Sequence, residues 1–275
     1  MTPRILRRAA ASAALSAFRF IAWPRVRARS RGAVPACGPC TVILLNYRRP
    51  FNMEFQLQLA LAGDFVGEVI LSNNDPGCDL DRHLRTSDPR IRRVEHPVRR
   101  YASVRFELAR TARFPYVIAI DDDLFPTPSQ LRLLFDALVA DPGRPHGFGG
   151  HLFPREPEGE GDAGKEPEAR FVYRETREVD ALVWAFAFTK EVNERYFRLL
   201  ERIGETNDTV TSSEDVPLSF AGTGPAMVHD AGIILQCPSS HDDDIATYRQ
   251  LGFGSRRAEL VASCRAATGF FPGGL

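Results

Sequence analysis

The chain has 275 residues, of which 44% are hydrophobic, and its 35 basic and 35 acidic side chains cancel to zero net charge. That length and apolar content suffice for one large domain or two small ones with a buried core, which excludes disorder for the bulk of the chain. Neutrality argues against a dedicated nucleic-acid binder, which would carry a basic face.

The first residues, MTPRILRRAAASAALSAFRFIAWPRVRARSRG, carry many Arg and no acid. Their apolar stretch, Ala9 to Phe18, is about ten residues, against the roughly 20 that a membrane-spanning helix needs. Residues 1–36 therefore read as a basic amphipathic leader. Leu6, Phe18, Phe20 and Trp23 would dip into an anionic lipid surface, giving a peripheral membrane contact through 4–25. A signal or transit peptide and a disordered leader are the alternatives. The five cysteines are too few and scattered for a disulfide framework, and their odd number fits a reducing compartment. Cys37-Gly-Pro-Cys40 has thioredoxin-like spacing, but it precedes a strand instead of opening a helix, so redox chemistry is set aside.

From residue 41 strand-like and helix-like segments alternate. Thr41–Asn46 (TVILLN) is an apolar β run, Phe51–Leu61 a helix, Glu68–Ser72 a second strand ending in the turn Asn73-Asn74-Asp75-Pro76-Gly77. Ile91–Glu95 is a third strand, Ser103–Arg113 a helix, and Tyr116–Ile120 the fourth strand. Pro128–Ala140 is a helix with Ser129 as its expected cap, and 156–168 (EPEGEGDAGKEPE) is a surface loop with no chemical role. Ala181–Thr189 is a buried strand, Lys190–Arg202 an amphipathic helix, Asp215–Ala221 a short helix or turn, Ile233–Gln236 a late strand, and Ser255–Cys264 an Arg-rich helix. Apolar strands separated by helices predict a parallel sheet covered on both faces, continued by mixed connections. Ligands of such sheets bind at the carboxyl ends of the strands. Asn46-Tyr47-Arg48, Asn73-Asn74 and Asp121–Asp123 all fall there.

Three adjacent carboxylates after a greasy strand, VIAIDDD, are costly unless a cation or hydrogen bonds compensate them. Their hard oxygens suit Mg²⁺ or Mn²⁺, with substrate phosphates completing the shell; capping a following helix is the alternative. A second acidic pair, Glu214-Asp215, could set one oxygen at a reacting centre and orient it with the other, or cap a helix. Arg48, Arg49, Arg105, Arg249, Arg256 and Arg257 could neutralise a diphosphate if the fold gathers them. His241 and Asp242–Asp244 follow no β run and read as a solvated loop. His83, His96, His146, His151 and His229 show no metal-ligand spacing.

Taken in order, these stretches resemble the exostosin-like glycosyltransferases, the family-64 catalytic domain. The residues are TVILLNYRRPFNMEFQLQLAL, EVILSNNDPG, ASVRFELARTARFPYVIAIDDDLFPTP, ALVWAFAFTKEVNERYF and SSEDVPLSF, covering 41–221, with a weaker likeness on to 265. The resemblance implies an α/β chain with the GT-A (nucleotide-diphospho-sugar transferase) fold, a single Rossmann-like domain with a mixed central sheet over 37–270. It implies transfer of an N-acetylhexosamine from a UDP-sugar to a glycan or lipid-linked glycan acceptor, with retention, in cell-surface polysaccharide biosynthesis. Asp123 would be the ligand of Mn²⁺ (or Mg²⁺), while Asp121 and Asp122 hold ribose and sugar. Tyr47, Arg48 and Asn73 would lie at the nucleotide and Arg105 near sugar or uridine. Asp215, beside Glu214, would be the catalytic carboxylate. The family's late His-x-x-x-Arg pair is met only by Arg256, since Gly252 stands where the His belongs. An inverting transferase with Asp215 as general base, and a nucleotide-sugar-binding protein without catalysis, are the rival readings. The expected location is the cytoplasm, at the inner face of the membrane.

Overall fold

The computed structural model describes residues 39–154, 169–211, 213–237 and 252–272. The leader 1–36, Cys37, the stretch 156–168, Ser212, Arg249 and the His241–Asp244 segment lie outside the described residues. The strands in chain order are β1 (Cys40–Asn46), β2 (Val66–Asn73), β3 (Ile91–Glu95), β4 (Tyr116–Ile120), β5 (Leu124–Phe125), β6 (His146–Leu152), β7 (Arg170–Tyr173), β8 (Arg177–Val179), β9 (Ala181–Thr189), β10 (Ala226–Val228) and β11 (Leu235–Gln236). The helices are α1 (Pro50–Leu61), α2 (Val104–Arg110), α3 (Pro128–Ala140), α4 (Lys190–Arg202), α5 (Asn207–Val210), α6 (Asp215–Phe220) and α7 (Phe253–Thr268).

Nine strands form one mixed sheet in the order β3-β2-β1-β4-β9-β6-β10-β8, with β7 also paired to β6. The first four strands are mutually parallel, and β9 reverses the direction against β4. The expected α/β chain with a mixed central sheet is therefore what forms. In β1 every residue is buried, and the period of two sends its side chains alternately to two cores. Ile43 and Leu45 join Phe106, Phe188, Tyr196, Leu218 and Leu260 on the face covered by α2, α4, α6 and α7. Val42 and Leu44 join Met53, Leu57, Leu134 and Phe135 on the face covered by α1 and α3. Side chains buried on both faces are why these strands read as continuous apolar runs.

Two expectations need correction. The cap of α3 is Thr127 and not Ser129: the Thr127 hydroxyl accepts from the Gln130 N–H while Gln130 returns a bond to the Thr127 N–H, with Pro128 in the first turn. Strand β6 (HGFGGHL) was not predicted, because glycine weakens a strand. Its glycines answer to close approach: a Cβ on Gly147 or Gly150 would stand 2.8 Å from the Ala185 or Ala181 carbonyl oxygen of β9. No helix among the described residues is long and apolar enough to cross a membrane.

Candidate active site

Asp121–Asp123 leave the end of β4 where the parallel half of the sheet meets the reversed half. Their backbone is pinned from both sides. The Asp121 N–H donates to the Trp184 carbonyl of β9 at 2.9 Å, and the Cys237 N–H donates to the Asp123 carbonyl at 2.7 Å. Helix α1 supplies two amides: Asn52 Nδ2 donates to the Asp122 carbonyl, and Gln56 Nε2 to the Asp121 and Leu124 carbonyls, at 2.7–2.8 Å. Asn52 and Gln56 are four residues apart and so share one helix face. That spacing was visible in the sequence among the four polar positions of the helix, Asn52, Glu54, Gln56 and Gln58, and its meaning was missed.

Three buried guanidiniums are threaded between five carboxylates. Arg49 pairs with Asp122 and stands 3.5 Å from Asp123. Arg105 reaches Asp121 at 2.7 Å and Glu214 at 3.5 Å. Arg257 grips Asp215 with both terminal nitrogens, one to each carboxylate oxygen, at 2.6 and 2.7 Å. Asp215 is also fixed through its backbone, because Ser219 Oγ donates to its carbonyl at 2.7 Å and accepts from the Leu182 N–H of β9 at 2.8 Å. With every group ionised, five carboxylates against these three guanidiniums leave an excess of two negative charges.

The protonation behaviour follows from that excess in a dry place. Burial pushes Asp122 up to about 6, opposed by Arg49 and by the Tyr47 N–H that donates to it. Burial and then the neighbouring Asp122 push Asp123 up to about 7. Burial pushes Glu214 up to about 8, with Arg105 opposing and Asp215 and Asp121 adding to the rise. Glu214 is thus mostly protonated at neutral pH. In the unfolded chain it would ionise near 4.5, so between 4.5 and 8 the native state holds one more proton. Stability therefore falls as pH rises through that window, by about 1.4 kcal/mol per pH unit for one proton. Glu214→Gln is expected to flatten that fall, read as the difference between variant and parent urea midpoints at pH 6 and pH 8. Equal slopes for the two proteins would show that Glu214 is already ionised.

A cavity of about 630 Å³ opens over this cluster. Tyr47, Arg105, Asp121, Asp122, Asp123, Glu214 and Asp215, all expected from sequence, line it together. Three others do not. Arg48 is exposed, with its guanidinium over the Tyr47 ring 5.2 Å from the centroid, and does not line the cavity. Asn73 is spent inside the sheet, where its side chain accepts from Asn46 and donates to the Cys78 carbonyl and to Glu95; the next residue, Asn74, lines the cavity instead. Arg256 points away and pairs with Glu205 at 2.7 Å, because one residue along a helix turns the side chain by about 100°. Its neighbour Arg257 faces Asp215. Arg99, which stacks 4.4 Å from the Tyr47 ring centroid, also belongs to the cavity and had no sequence signal. Of the histidines, His146 and His229 bond each other at 2.9 Å, and His151 lines the cavity, held down near 4 by burial and by Arg257. Cys40 is buried in β1, and burial raises its thiol far above the usual range.

No family model and no curated protein matches the chain. Among solved structures, it is similar to S. aureus TarS 1-349 at 12% identity over 82% of this chain and 70% of that one, with a TM-score of 0.44. It is also similar to a CMP:2-keto-3-deoxy-manno-octonic acid synthetase complexed with CTP, at 12% identity over 59% of this chain and 78% of that one, with a TM-score of 0.38.

Among the described residues no three His, Cys, Asp or Glu side chains converge to cage a metal ion. The donor set nevertheless fits a hard divalent cation of the kind that takes one carboxylate and completes its shell with water and phosphate. Asp121 and Asp122 are committed to Arg105 and Arg49, whereas Asp123 has its Arg49 contact only at 3.5 Å and a carboxyl raised by burial and then by the neighbouring Asp122.

Proposed function

We propose that the chain is a glycosyltransferase that moves a sugar from a UDP-sugar to a glycan or lipid-linked glycan acceptor, with Mn²⁺ or Mg²⁺ at Asp123. The observation that carries this reading is the excess of carboxylate over buried guanidinium at the end of β4, inside a cavity large enough for a nucleotide sugar. Bound there, the cation would neutralise diphosphate charge and help UDP to leave. Tyr47 and Arg99 offer an aromatic and cationic edge for the nucleotide, and Arg105 lies between Asp121 and Glu214 where a sugar would reach both. The exostosin-like motif set favours an N-acetylhexosamine donor. A leader contact with the inner face of the membrane belongs to the same proposal.

Retention is favoured over inversion by the state of Asp215. Both of its oxygens accept from Arg257, so the carboxylate is held in one orientation as a fixed charge. Such a carboxylate suits a developing positive charge on the sugar. The anomeric configuration of the product, read by NMR, separates the two outcomes.

The deciding experiment is a UDP-release screen, starting from UDP-GlcNAc and UDP-GalNAc, with Mn²⁺ present or chelated. Release that requires the cation is expected, and no turnover with any common donor would sink the enzyme reading. Asp123→Ala is expected to weaken cation-dependent UDP binding by about tenfold or more in calorimetry, with little change in UDP binding when the cation is chelated. Unchanged affinity in the presence of Mn²⁺ would remove Asp123 from the metal.

A further inference from the structure

The cavity is divided by charge along the sheet. On the β1 side of Asp121–Asp123 its lining includes Tyr47, Arg99 and Arg100. On the other side, from β9 through β6 to β7, it is aromatic: Trp184, His151 and Phe171 line it, and Tyr173 packs behind them. Phe171 and Tyr173 meet Trp184 edge to face, with centroids 5.2 and 5.0 Å away and planes at 67° and 77°. Phe171 is 44% exposed. His151 adds an uncharged ring, since burial keeps it neutral at ordinary pH.

The backbone shows that this wall is held in place. Trp184 has φ of +79°, a conformation that a bulky L residue adopts only under constraint. It sits where the β6–β9 register slips between Gly147 and Gly149, a bulge of the kind that re-aims a side chain. A Cβ on Gly149 would lie 3.2 Å from the Trp184 ring, so the glycine leaves room for it. The Trp184 carbonyl accepts from the Asp121 N–H, which ties the strained residue directly to the acidic run.

The geometry points to the Trp184–Phe171 wall as the acceptor subsite, taking the apolar face of a pyranose ring stacked beside Asp121–Asp123. A nucleoside diphosphate is drawn to the cationic side, which leaves the aromatic side to a partner with little charge. Sugar rings present C–H groups on one face and hydroxyls at the rim, the complement of a bare aromatic wall edged by His151. This inference rests on the transferase reading for its assignment to the acceptor.

The test uses the full-length chain with UDP and Mn²⁺ present. Methyl β-glycosides of glucose, galactose and N-acetylglucosamine serve as probes in saturation-transfer NMR, with cyclohexanol as an apolar non-sugar control. At least one glycoside, and not cyclohexanol, is expected to receive saturation on the protons of one ring face. Phe171→Ala removes a half-exposed ring, and Trp184→Gly places at φ +79° the residue that suits it. Each is expected to weaken glycoside binding about tenfold, the scale of losing one stacked ring. UDP affinity in the same variants is expected to stay within about twofold. Glycoside binding that survives both substitutions, or a wall that takes cyclohexanol in preference, overturns the inference. Glycoside binding lost in both variants of a chain that binds no UDP would leave the wall standing as a sugar site and defeat the transferase reading alone.

Discussion

Asp215→Asn is expected to lower sugar transfer about a thousandfold, the usual scale for a charged group acting at the reacting centre. The substitution keeps one oxygen for Arg257, but it sets an amide NH2 against the second Arg257 nitrogen and removes the counter-charge, so a thermal melt on the same sample checks that the fold persists. UDP binding with Mn²⁺ should hold within about threefold, because the proposed function puts Asp215 at the sugar and not at the diphosphate. The position of the carboxylate is over-determined, by Arg257 on both oxygens and by Ser219 linking its backbone to β9. Arg257→Lys is the companion variant. An ammonium cannot make the two-pronged contact, so Asp215 would lose its orientation while keeping its charge. A drop in turnover smaller than that of Asp215→Asn, with a similar KM for donor, is the expected pattern. Full activity of Asp215→Asn would move the catalytic role elsewhere, with the protonated Glu214 as the next group to examine.

The sheet and the acidic run were legible because both obey simple local rules. Strands β4 and β9 and helices α3 and α4 were predicted with the bounds they have, since each is an unbroken apolar run or a clear 3.6-residue period; β3 (IRRVE) was also predicted with its bounds, although it is neither. What escaped prediction is set by tertiary contact. The glycines of β6 argue locally against a strand, yet β9 approaches so closely that side chains would collide with its carbonyls. Asn73 and Asn74 are adjacent amides at one strand end, and only the register with β1 and β3 decides which faces the sheet and which the cavity. Arg256 and Arg257 pose the same problem on a helix, where the family motif named one and packing selected the other. The aromatic wall left no mark in the sequence, because Phe171, Trp184 and His151 come from three strands whose order in the sheet is not their order in the chain.

The largest loss of stability is expected from separating Asp180 and Arg265. Asp180 follows β8 and its side chain is wholly buried; its oxygens accept from Arg265 Nε and Nη2 at 3.0 and 2.9 Å and from the Phe153 N–H at 2.8 Å. The remaining Arg265 donors satisfy the Pro154 and Phe153 carbonyls at 2.8 and 2.9 Å. Arg265→Met would keep the volume and leave a buried carboxylate without the Arg265 counter-charge, at a cost of about 3–5 kcal/mol. That is a large share of the roughly 5–15 kcal/mol available to a folded domain. Asp180→Leu combined with Arg265→Met should cost less than Arg265→Met alone, since no charge is then stranded, and urea melts of the three proteins measure the difference. A single variant within about 1 kcal/mol of the parent would mean that water reaches the pair. The consequence extends to the site, because Arg265 and Arg257 lie two turns apart on α7, and the clamp that docks its far end also presents Arg257 to Asp215. Transfer in Arg265→Met should therefore fail at lower urea than the loss of the overall fold, and activity and circular dichroism recorded across one titration would separate the two events.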